Sequence, residues 1–107
     1  MARPDTGEMI VANFVLSFRG QEGRTVSADE EAEWGAWFQA IGGSIADFGH
    51  RVGRVRALGA GPAAGDALGG YVVVDAADLD AAVALAEGCP GLRHGGGVEV
   101  GEAVSMS

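Results

Sequence analysis

The side chains of this sequence that could do chemistry are few. The first is Glu102, near the end of an alternating run. By strict period two it shares a face with Val98, Val100 and Val104, and so points toward an apolar layer. A carboxylate there needs a partner, or it takes up a proton through a raised pKa. The other geometry open to it is a bulge at Gly101, which would turn Glu102 to water. His50 and His94 are the only imidazoles. Both sit at glycine-flanked joints, Gly49-His50 and His94-Gly95, from which a side chain can reach a pocket mouth. Either could be a general base near neutral pH, and Asp47, three residues before His50, could orient it. The plainer alternative is that both histidines are solvated surface residues. The catalytic candidates are therefore Glu102, His50, Asp47 and His94.

A second group could bind rather than react. Asn13 and Tyr71 fall on strands that leave one face uncovered, and with Arg54 they could hydrogen-bond a small polar or aromatic ligand. The same atoms could equally hydrogen-bond across a dimer. Trp34 and Trp37 fit a helical stripe and belong to the core. Cys89, the single cysteine, follows a helix end, where the dipole raises a thiol pKa, so it reads as structural. Gly95-Gly96-Gly97 precedes a strand rather than a helix, so no array of N–H groups points at a phosphate. No H-x-H, H-x3-H or Cys/His cluster is present, so neither a metal nor any other cofactor is expected.

The elements that must position these residues are legible in the periodicity. Met9–Arg19 alternates, with Ile10, Ala12, Phe14, Leu16 and Phe18 on one face and a mixed, uncharged set on the other. That reads as a central strand. Ser27-Ala-Asp-Glu30 matches a capping box, with Ser27 accepting from the Glu30 amide and Glu30 reaching back. Trp34, Trp37, Phe38, Ile41, Ile45 and Phe48 then follow at helical steps, and the spacing predicts a helix closed by Gly49. Gly42-Gly43 either allows close packing or ends that helix early. His50–Leu58, interrupted by three arginines, reads as an edge strand, and Gly59–Leu68 as a loop. Tyr71–Val74 is an apolar strand. Asp75 and Asp78 offer caps to a helix with the stripe Leu79, Ala82, Val83, Leu85 and Ala86, which Gly88 and Pro90 stop. Val98–Val104 is the last strand.

The order strand, helix, strand, strand, helix, strand is the ferredoxin-like α+β arrangement. Right-handed crossovers put the first and third strands at the centre of an antiparallel four-stranded sheet, with both helices on one face. The other face, carrying Met9, Val11, Val15 and either Tyr71/Val73 or Val72/Val74, would lie open, and such a patch predicts a homodimer through it. Length gives a single domain over 1–107, with residues 1–7 a frayed arm. Fifteen acids stand against seven arginines and no lysine, a net charge of −8. That balance disfavours nucleic acid and anionic membranes, and it removes Schiff-base and P-loop lysine chemistry. No apolar run approaches a membrane span and no signal pattern opens the chain, so a cytoplasmic location is expected.

Several of these residues resemble the YCII-related proteins of the dimeric α+β barrel group. The likeness is carried by GGYVVVDAADLDAAVALAEGCPGL, by HGGGVEV, by an acid near the end (Glu102), and by Trp34-x-x-Trp37-Phe38 followed by a glycine pair. The resemblance implies sheets facing each other across a dimer, with a small pocket between them. It also implies, for a few members, activity on small aromatic compounds. One such member, a dehydrochlorinase of a chlorinated hydroxyhydroquinone, uses a His–Asp device whose His lies near the start of the first helix. Gly20–Glu33 holds no histidine, so that role has no counterpart. The Asp-Gly-Pro-Phe signature of another branch is replaced by GPAAGDAL.

Two readings of function follow. One is a homodimeric protein that binds or transforms a small organic molecule, aromatic or carboxylic, by acid/base chemistry in a pocket between sheets. The other is a non-catalytic dimeric module that supports a partner or senses a metabolite. Convergence of Glu102 and a histidine on one enclosed cavity would separate them.

Overall fold

A computed structural model describes residues 11–60 and 66–105. The expected frayed arm and the centre of the long loop lie outside the described residues. The strands are β1 (Ala12–Gly20), β2 (Ile45–Arg51), β3 (Ala67–Ala76) and β4 (Gly97–Glu102). Helix α1 spans Ala28–Ile41 and α2 spans Leu79–Ala86. The sheet order is β2-β3-β1-β4, with every neighbouring pair antiparallel. This is the ferredoxin-like α+β fold, with β1 and β3 central as the alternation requires.

Register explains the core. Leu16 sits between Val72 and Val100, and Phe14 between Val74 and Glu102. Phe14, Leu16, Val72 and Val74 join Trp37 and Ile41 of α1 and Ala82 and Ala86 of α2 in one buried cluster. Both helices therefore cover the same face. Period two then leaves Val15, Val73 and Tyr71 on the other face, each half-buried by its strand neighbours. Among the described residues no helix is long and apolar enough to cross a membrane.

The start of α1 follows its sequence signal only in part. Ser27 Oγ accepts from the Glu30 N–H at 3.1 Å, satisfying a donor that the first turn would leave free. The Glu30 carboxylate, however, is engaged by Arg24 and Trp34. The far end of the helix differs more. It stops at Ile41, Gly42–Ser44 forms a 3-10 turn, and Ile45 and Phe48 belong to β2. Two adjacent glycines cost about 1 kcal/mol each in a helix interior, while Ile45 gains a partner in Val74 of β3. The apolar spacing ran on by coincidence across a helix and a strand.

The second strand is thus Ile45–Arg51, not His50–Leu58, and Arg54 and Arg56 lie beyond it in exposed chain. It remains an edge. Gly49 is a bulge within it rather than a helix terminator. Its φ of +63° suits glycine, and an added Cβ would fall 2.0 Å from the Tyr71 carbonyl oxygen. The pairing register shifts between Asp47 and His50, across it.

Asp78 caps α2 by accepting from the Ala81 N–H at 2.8 Å. Asp75 instead accepts from the Asn13 side-chain amide across the β1–β3 pair. The buried face of α2 is Ala82 and Ala86, flanked by Ala81 and Leu85, whereas Leu79 and Val83 of the expected stripe are exposed.

Candidate functional site

A groove of about 720 Å³ opens where β1 leaves the sheet and β3 enters it. That size is within the range of small-molecule sites, roughly 300–1,000 Å³. Its walls come from Phe18 at the end of β1, Trp34 and Phe38 of α1, Phe48 to Val52 at the end of β2, and Leu68 to Val72 of β3. The turn before β4 adds His94 to Gly96. Both histidines therefore line one groove.

The aromatic wall follows from α1. Trp34 and Phe38 are one turn apart and face the same way. The Phe18 ring meets Trp34 edge-on at 5.2 Å and Phe38 edge-on at 6.4 Å, in the T-shaped geometry that aromatic quadrupoles favour. Phe48 stands beyond Phe38 at 6.3 Å and is 66% exposed.

The charged end is built around Glu30, which is only 3% exposed. Both its oxygens accept from Arg24 Nη2, at 3.0 and 2.7 Å, and Trp34 Nε1 donates to it at 3.1 Å. The Arg24 hydrogen bonds hold the Glu30 carboxyl below its ordinary range, against burial, which acts to raise it, and the Trp34 donor adds to the lowering. The same contact raises Arg24. His94 Nδ1 lies 3.7 Å from Glu30 Oε1, too far for a hydrogen bond. His94 Nε2 is 2.9 Å from Glu33 Oε1, and Arg93 reaches the same oxygen at 3.2 Å. The His94 hydrogen bond is the chief cause of a lowered Glu33 carboxyl.

That geometry orients an imidazole. Glu33 can only accept when ionised, so it selects a hydrogen on Nε2, which leaves Nδ1 of the neutral ring with a lone pair. His94 lines the groove, whereas Glu33 stands outside it. A carboxylate behind the ring, a lone pair in front and a fixed negative charge at 3.7 Å make an arrangement suited to taking up a proton.

At the other side of the groove, His50 Nδ1 and the Tyr71 hydroxyl are 3.1 Å apart. Asp47 does not orient His50. Its carboxylate accepts from the Gly49 N–H at 2.8 Å and so holds the bulge. Asn13, bound to Asp75, lies outside the groove, and so does Arg54. Glu102 is exposed at the last position of an edge strand. It shares the helix-side row with Phe14 and Val74, as alternation required, but the covering layer ends before it. No bulge turns it outward, since Gly101 pairs regularly with Val15. Glu102 and the histidines do not converge.

Among the described residues no three His, Cys, Asp or Glu side chains are grouped to hold a metal. Burial raises the Cys89 thiol, and desolvation is the main cause there, rather than the helix end invoked from sequence.

Glu30, Glu33, Arg24 and Arg51 were missed as site residues. A signal for Glu30 existed. It precedes Trp34 by four residues, which puts a carboxylate on the stripe that Trp34, Trp37 and Ile41 bury.

A YCII-related domain model matches residues 5–106. The chain belongs to the YCII-related family. The match covers nearly the whole chain, including the helix and loops that form the groove. No curated protein and no solved structure matches this YCII-related chain.

Proposed function

We propose that this YCII-related protein binds a small organic molecule in the groove at the end of its sheet and acts on it by proton transfer through His94. The observation that carries this is the His94 geometry, with Nε2 on Glu33 at 2.9 Å and Nδ1 beside the buried Glu30. Arg24 keeps Glu30 ionised, so a negative charge faces the nitrogen that would carry the proton. The Phe18, Trp34 and Phe38 rings supply an apolar wall.

Two copies would meet through the open sheet face. Half-buried Val15, Val73 and Tyr71, with Val11 exposed at its end, give that face an apolar centre that no described helix covers. Sedimentation as a monomer at micromolar concentration would remove this part of the proposal.

A thermal-shift screen of small phenols, quinones and carboxylic acids tests the binding step. A ligand that binds only the native state at a hundred times its Kd stabilises by about 2.7 kcal/mol. Any hit is then tested for turnover in wild type and His94→Gln. Binding retained with turnover down by about 10² or more supports the assignment. Equal turnover in the variant, or hits whose binding leaves Trp34 and His94 unperturbed, would overturn it.

One observation favours the non-catalytic alternative. Arg24, Glu30, His94, Glu33 and Arg93 form a continuous set of polar contacts joining α1 to the chain segments on either side of it. As a strut, that set would make His94→Gln lose stability and leave ligand binding unchanged.

A further inference from the structure

The helix-side row of the sheet nearest the groove reads Arg51, Gly70, Phe18, Val98 across β2, β3, β1 and β4. Gly70 is buried and contributes no side chain to it. The row therefore carries only two side chains at the groove end, an arginine on the edge strand and an aromatic ring two strands away. At about 4.8 Å per strand, the backbones of Arg51 and Phe18 are roughly 10 Å apart. A Cβ at Gly70 would meet the His50 carbonyl oxygen at 3.1 Å and Arg51 Cα at 3.5 Å, so β3 packs closely on β2 at this point. The register shift beside Phe18 falls at the same place, as bulges often do beside functional sites.

The arginines of the groove are not equivalent. Arg19 is bonded to Glu99 at 3.1 Å, and Arg24 to Glu30. Arg51 has no carboxylate partner among the described residues, in a chain with fifteen acids. Of the nearby acids in the groove wall, Glu22 already accepts from the Val55 N–H at 3.2 Å, and Glu31 lies across the groove on α1. A guanidinium left unpaired and facing a groove is suited to a planar anion that it can bind through two parallel N–H donors.

Resting on the reading of the groove as a ligand site, we infer that its ligand is an aromatic monocarboxylate. The ring lies against Phe18, Trp34 and Phe38, and the carboxylate meets Arg51, all of which line the groove. The aromatic wall takes the ring, and the single negative charge matches Arg51, the one arginine lining the groove that has no carboxylate partner among the described residues.

Calorimetric titration near pH 7.5 with benzoate and 2-naphthoate, each beside its uncharged amide, tests this in wild type, Arg51→Gln and Arg51→Lys. Arg51 is exposed, and circular dichroism of each variant checks that the fold is kept. The carboxylates should bind at least tenfold tighter than the amides. Arg51→Gln should abolish that preference without weakening the amides, and Arg51→Lys should keep part of it. Amides binding as tightly as acids would overturn the anion assignment while leaving the groove as a ligand site. Acid binding unchanged in Arg51→Gln would do the same. Failure of both acids and amides, with phenols or quinones still binding in the wider screen, would also defeat the inference but not the groove. Failure of every compound would defeat both.

Discussion

Replacing Gly49 by alanine should cost more than any other single methyl group added to the described surface, because it strikes the joint between fold and site. At φ +63° the residue is in the left-handed region, which costs a residue with a Cβ roughly 1–2 kcal/mol. The new carbon would also sit 2.0 Å from the Tyr71 carbonyl oxygen and 2.9 Å from Tyr71 Cδ2. Neither contact can be kept, so β2 must withdraw from β3 at Tyr71. Losing one or two strand hydrogen bonds there adds about 1 kcal/mol each. The expected loss is about 2–4 kcal/mol, or about 8–16 °C in Tm for a domain of this size. Gly35→Ala is the matched control. It lies in α1 with nothing within 4 Å of an added Cβ, and should gain up to about 1 kcal/mol from helix propensity. Urea denaturation of both variants beside wild type reads the two signs. Equal midpoints for Gly49→Ala and wild type would refute the bulge, and with it the placement of His50 against Tyr71.

Other outcomes follow from single contacts. Ser27→Ala removes the acceptor of the Glu30 N–H and should lower stability by about 1 kcal/mol in the same assay. An unchanged midpoint would place the start of α1 elsewhere. Glu30 and Glu33 are both held below the ordinary carboxyl value of 4.5. The unfolded chain therefore binds more protons in acid, and their contribution is complete above pH 4.5 and fades as pH falls through the lowered values. Denaturation midpoints across that range should drop, and Glu30→Gln should flatten the drop. A flat wild-type profile would contradict the Arg24 and His94 pairings. Cys89, 1% exposed and with its thiol raised by burial, should react with a disulfide reagent only on unfolding. Rapid labelling of the native protein would contradict its burial.

Local patterns carried most of the fold. Phe14, Leu16 and Phe18 alternate because β1 is central, and Asp78 and Ser27 cap the helices they were expected to cap. The α1–β2 boundary was not readable because Ile45 and Phe48 continue a helical spacing that Gly42-Gly43 interrupts. Choosing between a glycine pair inside a helix and one ending it requires knowing that Ile45 has Val74 opposite. The site was less legible than the fold. Its polar groups come from four separate segments, and only pairing brings His94 to Glu33, 61 residues away. Glu102 lies exposed and apart from the groove for a complementary reason. Alternation fixes the face of a residue but not whether a helix reaches that end of the strand.

With Nε2 on Glu33, the His94 imidazole presents the Nδ1 lone pair to the groove. Long-range proton–nitrogen spectra of the histidine rings measure this directly. The neutral His94 ring should show a single tautomer, with hydrogen on Nε2 and Nδ1 bare, and Nδ1 should shift when a groove ligand is added. Hydrogen on Nδ1, or an averaged pair of tautomers as in a freely solvated ring, would contradict it.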